Sequence, residues 1–107
     1  MDTIILKDKI SFLKDNPKKE IIYDSERVRN VLFCLEHGQG VGPHAVSSEV
    51  ALFAVDGKGV FITGEGEKKV EKGSLVVCKE NEQHGIKAIE ERFVVMAVIN
   101  PRPSSKG

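Results

Sequence analysis

Past Lys19 the chain is a succession of short apolar or alternating runs, each ended by glycine or by charged residues: EIIYD, RVRNVLFCLE, EVALFAV, GVFITG, KKVEKG, SLVVCK and RFVVMAVI. Runs this short, rich in Val, Ile and Phe and bounded by turn residues, predict β-strands. Beyond position 20 no stretch of roughly 10 to 12 residues carries the apolar spacing of an amphipathic helix, so crossover helices and a parallel sheet are not expected. Asp56-Gly57 between EVALFAV and GVFIT, and Gly64-Glu65-Gly66 before EKKVEK, both read as hairpin turns in which glycine supplies a positive φ. Two hairpins in succession would make a meander, and the expected class is an all-β sandwich or barrel. Residues 1–19 fit neither period: Ile4, Ile5, Ile10, Phe12 and Leu13 suit a short helix or an edge strand equally. The closing PRPSSKG reads as a frayed end.

A chain of 107 residues has the size of one domain, expected over 1–107 with its core at about 20–100. With 40% hydrophobic residues it can form a real core. Sixteen basic residues balance sixteen acidic ones, which leaves no field to attract polyanions or anionic lipid. The single Tyr and the absence of Trp also remove the stacking surfaces of single-strand binders, so no nucleic-acid partner is expected. The longest apolar run, Phe93 to Ile99, is far short of the roughly 20 residues of a spanning helix, and no membrane partner is expected either. Charges run through MDTIILKDKISFLKD, which does not read as a signal peptide, so the expected location is cytoplasmic. Cys34 and Cys78 lie inside apolar runs and are expected to be buried, inert thiols.

Gly38-Gln39-Gly40-Val41-Gly42 is not a dinucleotide loop, because Pro43 stands where a third glycine is required and β-type sequence resumes at once. Lys18, Lys19, Lys68, Lys69 and Lys72 read as solvated surface charge. The histidines are more informative. His44 and His84 each follow a turn and are expected to open a β-segment at a barrel mouth, whereas His37 reads as an exposed turn residue.

Gly38, His44, Val46, Val50 and Gly57 are separated by five, one, three and six residues. After fifteen more, Gly73, Lys79, Asn81, His84 and Ala88 are separated by five, one, two and three. These are the spacings of the first and second cupin motifs, and from about Arg27 to Ile99 the chain resembles a small single-domain cupin of the cupin 2, conserved-barrel type. The resemblance implies a double-stranded β-helix, or jelly-roll barrel, and a homodimer. In metal-binding cupins two histidines and a carboxylate of the first motif join one histidine of the second around a divalent ion. Here His44 and His84 keep two of those positions, while Val46 and Val50 replace a histidine and the glutamate. Lys79, Asn81 and Ala88 also depart from the second motif.

Glu49 neighbours the missing carboxylate, but strand alternation turns it to the other face unless a bulge intervenes. Gln83 and Cys78, near His84, are weaker substitutes. The expected ligand pocket is His44, Val46, Val50 and His84, and the candidate metal ligands are His44 and His84, with Glu49 behind them. Expected core positions are Val31, Phe33 and Leu35, then Val46, Val50, Leu52 and Ala54, then Val60 and Ile62, then Leu75 and Val77, then Phe93, Val95 and Ala97. The leading expectation is a protein that binds an unidentified small molecule between two histidines, with or without catalysis. The alternatives are a metal-dependent enzyme, an oxygenase or isomerase using one divalent transition metal (Zn, Fe, Ni or Mn), and a structural or interaction module. A homodimer is also expected because the apolar segment Thr3 to Leu13 needs cover.

Overall fold

A computed structural model describes residues 2–103. After one 3-10 turn, Leu6–Lys9, all regular structure is strand: β1 (Lys18–Asp24), β2 (Arg29–Leu35), β3 (Gly40–His44), β4 (Glu49–Thr63), β5 (Gly66–Glu71), β6 (Leu75–Cys78), β7 (His84–Lys87) and β8 (Phe93–Asn100). Every pairing is antiparallel. The strands form one strongly curled sheet with two wings that face each other. One wing runs β1-β2-β8-β4-β6, and the other runs β5-β4-β7-β3. The architecture is a double-stranded β-helix.

β4 belongs to both wings, which corrects the expected hairpin at Asp56-Gly57. Its first half pairs with β8 and β6, and its second half with β7 and β5. At the crossing the register with β8 shifts between Ala54 and Asp56, and Gly57 takes φ +81°. A Cβ on Gly57 would lie 2.1 Å from the Arg92 carbonyl oxygen, so the strand turns this corner only with glycine there. The Asp-Gly pair therefore bends a continuous strand instead of reversing it. The expected meander is reduced to one hairpin, Thr63 opposite Gly66.

Val31, Leu35, Val50, Leu52, Phe93 and Val95 are buried between the wings, where Phe61 and Phe93 pack with ring centroids 5.8 Å apart. The opposite face of β2 and β8 is also covered. Leu32, Cys34 and Val94 pack there against Ile10 and Phe12 of the N-terminal segment. That double burial explains why VLFCL and FVVMAV are continuous apolar runs without alternation. The N-terminal segment is thus one 3-10 turn and otherwise irregular chain, laid across its own barrel. Gln39 Nε2 donates to the Leu13 carbonyl at 2.9 Å, and the Arg92 guanidinium sits 4.4 Å from the Phe12 ring centre.

Leu75 and Val77 are exposed, not core. β6 pairs with β4 so that Cys78 faces Val50 and Val76 faces Leu52, which puts the other two residues on the outside. Phe33 and Val46 are half-buried, because they line a cavity. Both cysteines are buried and unpaired, and burial pushes both thiols above their ordinary value, so they are poor nucleophiles. The C-terminal segment is anchored where it is described: Ser48 Oγ donates to the Pro101 carbonyl at 2.6 Å, and Arg102 Nε lies 3.0 Å from Asp24 Oδ1. The rest of the expected frayed end, 104–107, lies outside the described residues. Among the described residues no helix is long and apolar enough to cross a membrane.

Candidate functional site

The two histidines meet because β3 and β7 are neighbours in register. His44 ends β3 instead of opening a segment, His84 opens β7, and the two stand directly opposite one another. Their imidazoles are stacked edge to face, with centroids 4.4 Å apart and planes at 66°. A register shift between Val41 and His44 brings the end of β3 into this position. Gly42, at φ +79°, makes the close approach possible, since a Cβ there would stand 2.8 Å from the His84 carbonyl oxygen and 3.0 Å from His44 Nδ1.

A carboxylate that the sequence did not single out shapes the turn leading to His84. Glu82 accepts from the backbone amides of Lys79 and Gly64, both at 2.9 Å, and these bonds hold its carboxyl below the usual range. The Asn81 amide donates to the Val46 carbonyl at 2.8 Å, tying this turn to the one after His44. The bond between Lys79 and Glu82, three apart in a turn, is local, whereas the one to Gly64 spans eighteen residues and only the fold reveals it.

The histidine pair lies on the wall of a cavity of about 510 Å³ between the wings. Val31, Val50, Leu52, Ile86 and Ala97 make its apolar lining, with Val46 and Phe33 nearer the opening. Phe61, Phe93, Leu35 and Ala54 fill the remaining interior and do not line it. His84 is only 7% exposed, and its Nδ1 is buried without a hydrogen-bond partner. Burial, and then the neighbouring His44 ring, lowers its pKa from the usual 6.5. His84 is therefore neutral at pH 7 and can both donate and accept. His44 is exposed, at the mouth.

His44, Val46, Val50 and His84 thus line one cavity. Glu49 does not: it is exposed on the face of β4 opposite Val50, and β4 carries no bulge there to turn it inward. Gln83 and His37 are exposed, and Cys78 is buried in the core away from the lining. Sequence reasoning did not anticipate Lys19, Arg29 and Pro103, which also line the cavity and come from β1, β2 and the C-terminal segment.

No model of a known protein family matches the chain, and no curated protein sequence does. Solved structures match closely in shape. TT1209 from Thermus thermophilus superposes with TM-score 0.91 at 25% identity, over 96% of this chain and 100% of that one. An RmlC-like cupin protein from Desulfovibrio desulfuricans gives 0.85 at 23%, over 94% and 97%. A Klebsiella pneumoniae protein with a double-stranded β-helix domain gives 0.85 at 15%, over 94% and 90%. The chain has the cupin fold. In this cupin barrel the donors at the centre are two imidazoles, flanked by the aliphatic side chains of Val46 and Val50. Among the described residues no three His, Cys, Asp or Glu side chains come together as a metal group. Two imidazole nitrogens leave most of a divalent ion's coordination sphere unfilled, so the residues present do not fit a protein-held transition metal.

Proposed function

We propose that the protein binds a small organic molecule inside the cupin barrel, with His44 and His84 orienting it and the apolar lining holding its body. The observation that carries this reading is the histidine pair itself: two imidazoles 4.4 Å apart are the convergent polar groups on the wall of an otherwise largely apolar cavity. The cavity volume of about 510 Å³ lies within the range typical of small-molecule sites, and apolar walls with few convergent polar groups are their usual composition.

Titration with 4-phenylbutyramide, a neutral probe with one apolar and one hydrogen-bonding end, tests this by amide NMR. The expected shifts concentrate at Val50, Gly85 and Ile86 and weaken at least fivefold in affinity in His84→Leu. Shifts confined to the outer faces, or an unchanged affinity in His84→Leu, would overturn the reading.

A further inference from the structure

We infer that the molecule held in this barrel is an amphipathic organic anion, its negative group seated against Lys19 and Arg29 and its apolar body in the cavity. The inference rests on the reading of the barrel as a ligand site and narrows its chemistry.

Lys19 stands opposite Phe33 in the β1–β2 register, and Arg29 is two and four positions from Val31 and Phe33, so both cations lie on the inner face of their wing. Both line the cavity, whereas among the described residues no Asp or Glu does. Lys19 is exposed and Arg29 half-buried, so both stand toward the solvent side of this face, where a long side chain can turn its charge to the cavity without being buried itself.

Charge neutralisation does not account for them either. Arg29 donates to Asp24 from Nε at 3.3 Å and from Nη2 at 3.2 Å, but Arg102 claims the same carboxylate at 3.0 Å. Two guanidiniums thus share one carboxylate, which leaves a positive charge in excess. Among the described residues no carboxylate pairs with Lys19, so a second positive charge is added. Lys18 and Glu20, on the outer face of the same strand, pair with each other at 3.4 Å.

The histidines sit on the opposite wing, and His84 is neutral at pH 7. The cavity is therefore polarised: cationic on one wall, hydrogen-bonding imidazoles on the other, apolar below. An organic carboxylate or phosphate ester with a hydrophobic body satisfies all three surfaces. A neutral ligand would leave the excess positive charge of this wall unmatched, and a cationic one would be repelled.

Matched probes separate this from the broader reading. 4-Phenylbutyrate, 4-phenylbutyramide and 4-phenylbutylamine share one body and differ in head charge, and acetate carries the charge without the body. Isothermal titration at low salt, with amide NMR to locate each probe, should show phenylbutyrate binding at least tenfold tighter than the amide. The amine and acetate should be weaker still. Lys19→Glu, on an exposed edge-strand position that a fold check by circular dichroism controls, should reduce the preference for carboxylate over amide to twofold or less. Lys19→Met should give an intermediate ratio. If amide and carboxylate bind the cavity equally, or the tenfold preference survives Lys19→Glu, the anion assignment is overturned while the small-molecule site stands. If no probe perturbs the cavity amides, both fall together.

Discussion

Val46→His with Val50→Glu would place His, His, Glu and His around one cavity wall, because Val46 and Val50 line it together with His44 and His84. The apo variant should be less stable, and the structure indicates by how much. Val50 is 1% exposed, and losing its burial costs about 1.5 kcal/mol or more. A carboxyl group without a partner on that wall adds a few kcal/mol, softened because the wall faces an open cavity and not packed atoms. Val46 is half-buried beside the mouth, so an imidazole there reaches water and costs little. The sum is about 3 to 5 kcal/mol, or a Tm lower by roughly 10 to 30 °C for a domain of this size. Nickel or zinc at about a thousandfold its Kd should restore about 4 kcal/mol. The assay is thermal unfolding of parent and variant with EDTA and with each metal, followed by calorimetric titration. A variant that folds but gains no more stability from metal than the parent refutes the convergence of the four positions. If the double variant does not fold without metal, Val46→His alone carries the test with three imidazoles.

Acidification should destabilise the protein through His84. Its folded pKa lies below the unfolded value of about 6.5, so its contribution is complete above pH 6.5 and is lost as pH falls through the folded value. Thermal melts from pH 7.5 to 5.0 should show a steeper drop for the parent than for His84→Leu, and parallel curves would contradict this. Gly42→Ala should cost about 1 to 3 kcal/mol from its positive φ and push the imidazoles apart, read as altered ring-proton shifts of His44 and His84 by NMR; unchanged ring shifts would show that Gly42 does not set their spacing. A homodimer remains the expected assembly, now through the outer rows Leu75-Phe53-Met96 and Val77-Ala51-Val98 that the register aligns across β6, β4 and β8. Sedimentation should give twice the 11.8 kDa chain mass, and Phe53→Glu should return it to one; a monomer at 100 μM parent would remove the expectation.

The fold was legible because its signals are local. Val, Ile and Phe runs mark β2, β4 and β8, and the motif spacing aligned His44 with His84 forty residues apart. Where sequence reading went astray, a non-local partner decided the outcome. Asp56-Gly57 has the composition of a turn, but pairing with β8 on one side and with β5 and β7 on the other holds it as a corner. Leu75 and Val77 are as apolar as Val76 and Cys78, so only the register against Val50 and Leu52 tells the faces apart. Lys19 and Arg29 look like ordinary surface charge until β1 and β2 are paired. Glu82 shows its role only once Gly64 is brought beside it.

The continuous path of β4 also governs traffic through the barrel. Because one strand runs through both walls, the wings cannot hinge apart like the halves of a shell without breaking its ladders to β8 and β6 on one side or to β5 and β7 on the other. Asn16 and Pro17 of the N-terminal segment and Pro103 of the C-terminal one complete the cavity lining from outside the strands. Both stretches lie outside the strands and are held by single side chains: Gln39 Nε2 donates to the Leu13 carbonyl, Ser48 Oγ donates to the Pro101 carbonyl, and Asp24 pairs with Arg102. Under the proposed ligand-binding reading, substitutions that release these anchors are expected to change the rates of binding and release more than the affinity.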